Sequence, residues 1–233
     1  LGESLYMHEP VLDLLLARVP RTVVLTLGTF FIATIISIPL GVLSATHKDS
    51  WIDNISRIAS MIGISMPVFW FGLLLLVLFA LKLMWLPPGG DFMRFGIEAL
   101  ILPSVTMGAS YAALMARLVR TEMIEVLQEE YIRVARSKGL RSFVVHYRHA
   151  LKNAMLPIIT VMGLRFGELL GGAVLTETVF DIPGVGRLLV DSVGRRDYPV
   201  LQGCILMITV VFVATNLAVD VTYALFDPRI GYE

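Results

Sequence analysis

The chain has 233 residues, of which 56% are hydrophobic and 16% charged, and its 19 basic and 19 acidic side chains cancel. A mean hydropathy of +0.77 excludes an ordinary soluble domain and points to membrane spans, while zero net charge argues against a nucleic-acid partner. The single Cys204, set in an apolar run, excludes an internal disulfide and reads as a small buried hydrophobe.

The chain starts at Leu1 with no positively charged leader before its first apolar stretch, so we expect a piece truncated at its N-terminus. Residues 1–22 are read as an extracytoplasmic segment. Within it Val11, Leu12, Leu14, Leu15 and Val19 accompany Asp13 and Arg18, as in a short helix lying on the outer surface or in a plain loop. Five stretches are long enough to cross about 30 Å of hydrocarbon. They are Val23–Thr46, Ile58–Leu81, Ile97–Leu118, Ala154–Val179 and Val200–Phe226. The expected fold is therefore all-α, a polytopic membrane helix bundle over 23–226 with a tail at 227–233. Pro39, Pro67, Pro103 and Pro157 are tolerable there because neighbouring helices can satisfy the carbonyls they free. Gly167, Gly171 and Gly172 would let helices approach closely.

Between the third and fourth stretches lies a polar island, residues 119–153. Its core, Glu130 to Pro157, reads as two short amphipathic helices. Tyr131, Ile132 and Ala135 share one face; Phe143, Val144, Tyr147 and Leu151 share the other. Gly139 sits between them, where a helix end needs positive φ. From Arg117 to Lys152 the chain carries Arg117, Arg120, Arg133, Arg136, Lys138, Arg141, Arg148 and Lys152, against Arg94 alone around Leu83–Glu98. The positive-inside rule puts this island in the cytoplasm, with His47–Arg57 and the tail, and leaves Leu86–Asp91 and Asp181–Pro199 outside. Arg187, Arg195 and Arg196 weaken the contrast, but Asp181, Asp191 and Asp197 are interleaved with them.

The chemistry is that of a conduit. No G-x-x-x-x-G-K-[ST] phosphate loop is present, so the chain is not expected to bind ATP itself, and no Ser-His-Asp or H-E-x-x-H arrangement is evident. His146 and His149, three apart on one helical face, read as solvated or docking residues rather than metal ligands; no metal or cofactor is expected on this chain. Arg165 and Glu168 in the fourth span cost about 5–7 kcal/mol together on insertion scales, so they must face protein or water. They read either as a polar patch on a translocation path, with Glu177 toward the outer end, or as an i,i+3 ion pair. Asn216 and Asp220 read as partners in hydrogen bonds between helices.

The spacing of Glu130-Tyr131, Ala135, Gly139 and Leu156-Pro157 resembles the cytoplasmic "EAA" loop of binding-protein-dependent ABC importers. Ser65-Met66-Pro67-Val68-Phe69-Trp70, Leu102-Pro103-Ser104, Arg117 with Arg120-Thr121, and Glu177-Thr178-Val179-Phe180 continue the resemblance. So do Pro183-Gly184-Val185-Gly186-Arg187, Arg196-Asp197-Tyr198-Pro199-Val200 and Asp227-Pro228-Arg229. Together they resemble the B-type permease subunit of the dipeptide/oligopeptide/nickel family over nearly the whole chain.

That resemblance implies a type I ABC importer permease of the cytoplasmic membrane, with six spans in the full chain, one of them and part of an outer loop preceding Leu1. It implies a coupling loop at 119–153 in which Glu130, Tyr131, Ala135, Lys138, Gly139, Arg141 and Pro157 engage an ATP-binding subunit. Ala135 would allow close approach, Gly139 would make the turn, and Glu130, Arg133 and Arg141 would fix register. A loop whose basic residues only set topology is the alternative. The implied partners are a C-type permease, two ATP-binding subunits carrying ATP and Mg, an extracytoplasmic binding protein and lipid. The outer loop 181–199, with turn clusters around an amphipathic stretch Leu188–Val193, would dock the binding protein through Arg187, Arg195 and Arg196 or cap the pore. Short peptides are the expected cargo and nickel or a nickel chelate the alternative, since no His, Cys or Met cluster marks the polar positions. An ion-coupled carrier would need discontinuous helices and often repeats, and would leave the elbow unexplained. A membrane enzyme would need a catalytic cluster at one depth.

Overall fold

A computed structural model describes residues 1–226. The expected tail 227–233 with Asp227-Pro228-Arg229, the side chain of Asp220 and the surroundings of Gly171 and Gly172 lie outside the described residues. Ten α-helices follow in order: α1 (Val11–Thr46), α2 (Trp51–Ser65), α3 (Val68–Leu75), α4 (Phe92–Phe95), α5 (Glu98–Gln128), α6 (Glu130–Ser137), α7 (Leu151–Gly172), α8 (Val174–Val179), α9 (Val185–Arg195) and α10 (Tyr198–Phe226). A π-helical segment, Leu76–Lys82, prolongs α3, and another, Val144–Ala150, leads into α7.

Several elements differ from the sequence expectation. Val11–Val19 is no separate surface helix, because α1 runs unbroken through Pro20. Arg21 donates from Nη1 to the carbonyl of Ala17 at 2.7 Å, next to the turn in which the proline withholds a donor. Val11, Leu14 and Leu15 are buried in a cluster with Val185, Leu188, Val200 and Cys204, as expected of that cysteine. The second expected span is broken. Helix α2 ends at Ser65, and the limb after Pro67 departs at 101°. Proline has no amide hydrogen and disfavours α geometry in the residue before it, and Met66 is extended at φ −82°, ψ 124°. Helix α5 runs ten residues past the expected end at Leu118, to Gln128. The fourth expected span divides into α7 and α8. Helices α1, α5 and α10 are long and apolar enough to cross a membrane, and the bent α2–α3 pair makes a fourth crossing if counted as one. Charged Lys152, Arg165 and Glu168 lower the apolar character of α7.

The chain forms two compact units, one made of Leu1–Phe30, Pro67–Met107 and the chain from Gly163, the other of Phe31–Met66 and Gly108–Met162. In the first, Gly203 of α10 lies against Val11 and Gly167 of α7 against Phe212 and Asn216. In the second, Gly41 of α1 lies against Val119 and Gly63 of α2 against Ala113. A Cβ at Gly41, Gly63 or Gly203 would come within 2.8 Å of those neighbours, so each glycine sets how closely two helices approach.

Candidate functional site

The polar elbow belongs to the second unit. Helix α6 buries Ile132 and Ala135 and leaves Glu130, Tyr131, Arg133 and Val134 exposed. Ala135 faces its own chain, so its small size serves α6 packing rather than an approach from outside. The helix ends at Lys138, whose N–H donates to Val134, and Gly139 takes φ +75° with open space around it, so the turn needs glycine for its backbone and not for room. The Tyr131 hydroxyl accepts from Asn153 Nδ2 at 2.7 Å, tying α6 to the start of α7.

The second elbow helix keeps Phe143 and Tyr147 on one face, as expected, but turns that face outward. Its buried side chains are Val145 and Ala150, while Phe143 and Tyr147 are exposed and touch each other, ring centroids 4.6 Å apart. Val145 and Ala150 are five residues apart, one turn of the π-helical segment, and that wider turn moves the buried face off the 3.6-residue pattern. The helix runs on as α7, so Pro157 lies inside it rather than after the elbow. Val134, Leu140, Phe143 and Tyr147 thus stand exposed in a stretch that also carries exposed Arg133, Arg136, Lys138 and Arg141. Glu130, Arg133 and Arg141 form no ion pair among the described residues. Half-buried His146 is pushed below its ordinary pKa by burial and then by Arg136 and His47. No cluster of three metal-ligating side chains occurs among the described residues.

The conduit candidates are separated. Arg165 and Glu168 pair with each other on α7, both well exposed on this chain. Glu177 is fully buried instead, and it caps α9. Gly184 precedes that helix and offers no side chain, so Glu177 accepts from the Arg187 N–H at 2.9 Å and from the Thr22 hydroxyl at 2.6 Å. Thr22 Oγ in turn accepts from the Val185 N–H at 2.9 Å. Two of the orphan donors that begin α9 are satisfied from α8 and α1. A Cβ on Gly184 would collide with the Glu177 carboxylate. Asn216, expected to bond between helices, keeps a buried Oδ1 with no partner among the described residues.

The outer segment is stitched to its surroundings. Arg187 pairs with Asp181 and lies 4.0 Å from Asp191, Arg195 sits 4.4 Å over the Tyr6 ring, and Arg196 closes α9 at φ +56°. Arg195 and Arg196 are exposed; Arg187 is partly engaged. The Arg21 guanidinium bonds Asp91 at 2.7 Å and holds that carboxyl below its ordinary range. Gly90 N–H donates to the Phe180 carbonyl at 2.6 Å.

Sequence reasoning missed the Arg21–Asp91 pair and, in the second unit, a buried one. Asp53 of α2 is fully buried and receives Nε and Nη2 of Arg120, each at 2.7 Å, the Ser44 hydroxyl at 2.5 Å and the Asp49 N–H at 3.0 Å. The signal that could have found it is Ser50-x-x-Asp53, the pattern of a helix start, which places a carboxylate at the third helical position.

Residues 37–232 match the family described as binding-protein-dependent transport system inner membrane component. The glutathione transport system permease protein GsiC of Escherichia coli O6:H1 is 44% identical over 234 residues, covering 100% of this chain and 75% of that protein. The dipeptide transport system permease protein DppB of Alkalihalophilus pseudofirmus is 39% identical, covering 100% of this chain and 77% of that protein. Among solved structures, a chain of the inward-facing MetNI methionine ABC transporter superposes with a TM-score of 0.79 at 18% identity, over 95% of this chain and 100% of that one, a likeness of fold.

Proposed function

Because this chain belongs to the family of binding-protein-dependent transport system inner membrane components, we propose that it carries short peptides and is driven through its elbow. As a multi-pass permease subunit of an ABC importer in the cytoplasmic membrane, it works with ATPase and substrate-binding partners. The observation that carries the peptide reading is that relatives at 44% and 39% identity are permeases for glutathione and for dipeptides. The companion is a C-type permease, and the path runs between the two. The exposed Arg165–Glu168 pair fits a place on that path or against the companion, since lipid would penalise it.

The elbow is the coupling element. It offers an ATP-binding subunit the exposed Val134, Leu140 and Phe143 and the cations of the same stretch, braced by Tyr131–Asn153 and turned at Gly139. A rigid apolar plug in a groove transmits displacement, whereas a loose basic loop would not. On the outer side, exposed Arg195 and Arg196 meet the binding protein, and loop 181–199 closes over the pore.

The test is uptake of labelled dipeptide and labelled nickel in vesicles holding the full-length chain, its companion permease, ATPases and binding protein, with and without ATP. ATP-dependent dipeptide uptake is expected; nickel uptake in its place would overturn the peptide reading, and uptake indifferent to ATP would overturn the ABC mechanism. In the same vesicles Gly139→Asp, at a position with open space, strains only the turn, by about 1–2 kcal/mol. The variant should insert and assemble, hydrolyse ATP and fail to transport. Normal uptake would remove the elbow from the coupling path.

A further inference from the structure

In the second unit a cleft of about 450 Å³ opens between α1, α2 and α5. Its polar end is fixed by the Asp53–Arg120 pair, which Ser44 joins through its hydroxyl. Arg57, Arg117, Ser56 and Ser60 line the same cavity. Arg120 is neutralised by Asp53, but Arg57 and Arg117 have no carboxylate partner among the described residues, so the cleft carries two uncompensated cations. Moving away from Asp53 along the helices, the lining turns apolar: Leu40 stands one turn before Ser44, and Met61 and Ile64 follow Ser60. These three apolar side chains are exposed at 40%, 67% and 43%.

Guanidinium forks beside hydroxyl donors recognise a phosphate, and basic pockets between membrane helices take lipid headgroups. A free phosphate would satisfy the cations and leave Leu40, Met61 and Ile64 wet. A ligand with an anionic head and an apolar chain satisfies both ends. We propose that this cleft holds an anionic phospholipid, its phosphate between Arg57 and Arg117 with the serine hydroxyls, and an acyl chain over Leu40, Met61 and Ile64.

The complex of full-length chain, companion permease and ATPases, purified without substrate or nucleotide, is exposed to mixed phosphatidylglycerol and phosphatidylcholine, and retained lipid is counted by native mass spectrometry. Because neither ATP nor cargo is present, the result is independent of the transport reading. The native complex should prefer phosphatidylglycerol, and Arg57→Gln with Arg117→Gln should lower that preference about thirtyfold. Should that pair fail to assemble, Ser56→Ala with Ser60→Ala decides, with a smaller loss expected. Equal retention of both lipids by the native complex, or an unchanged preference in the deciding variant, would overturn the proposal. Displacement of phosphatidylglycerol by inorganic phosphate alone would do so too, marking a site for a free anion.

Discussion

Asp53 and Glu177 are both fully buried carboxylates, and they are held in opposite ways. Asp53 meets a guanidinium through two hydrogen bonds across 67 residues of chain; Glu177 forms no ion pair among the described residues and accepts instead from the Thr22 hydroxyl and from backbone N–H groups at the start of α9. In the first case compensation is ionic and resides in one side chain. In the second it is dipolar and resides in backbone geometry, so it depends on the absence of a side chain at Gly184. A charged partner can be deleted by one substitution, whereas a set of dipoles must be displaced.

The largest effect should follow from Arg120→Ala, which leaves Asp53 buried with one hydroxyl and one N–H. Thermal unfolding of the assembled complex in detergent should report a loss of about 3–5 kcal/mol. Glu177→Gln keeps the shape but turns an amide NH₂ toward one of the donors, and should cost about 1–3 kcal/mol. Gly184→Ala, which drives a methyl group into the same carboxylate, should fall in that range as well. Equal losses for Arg120→Ala and Glu177→Gln would erase the distinction between ionic and dipolar compensation.

A third carboxylate sharpens the comparison. Burial pushes Asp197 up, but the Ser4 hydroxyl and the N–H groups of Leu5, Tyr6 and Val200 outweigh it and hold the carboxyl below its ordinary 3.8. With the folded-state pKa depressed, this latch contributes in full above the ordinary value and is lost as pH falls through the depressed one. Hydrogen exchange at Leu5 and Tyr6 should stay protected from neutral pH down to about 4 and open below it. Asp197→Asn should cost about 1 kcal/mol even at neutral pH; opening that begins at pH 6 would point to another group. Smallest of all, Arg195→Ala, which removes an exposed cation from the Tyr6 ring, should cost about 0.5–1 kcal/mol in the same unfolding assay.

What the sequence revealed follows from range. The buried pair Ile132 and Ala135 and the positive φ of Gly139 are local consequences of α period and turn chemistry, and both were legible. The helical, apolar character of the chain was legible for the same reason. Pro67 was visible, but whether a proline bends a membrane helix or is absorbed, as Pro20 and Pro103 are, depends on neighbours distant in sequence. That Phe143 and Tyr147 share a face was legible in their spacing; that this face turns outward depends on the π turn and on neighbours distant in sequence. Asp53–Arg120 and Glu177–Thr22 join residues 67 and 155 apart, and no local pattern couples them. Glu177 is expected toward the outer end of a translocation path, and only the fold shows that it is buried and caps a helix.

The π-helical segment Val144–Ala150 holds one residue more than an α-helix of the same rise would. That surplus makes the junction between elbow and α7 a place where the chain can lose a residue without loss of register. A single deletion there would regularise the turn and leave the faces of both flanking stretches where they are. The same deletion in the middle of α5 would rotate everything beyond it by about 100°. Length variation among homologous elbows is therefore expected to fall at this turn and to spare the helices on either side.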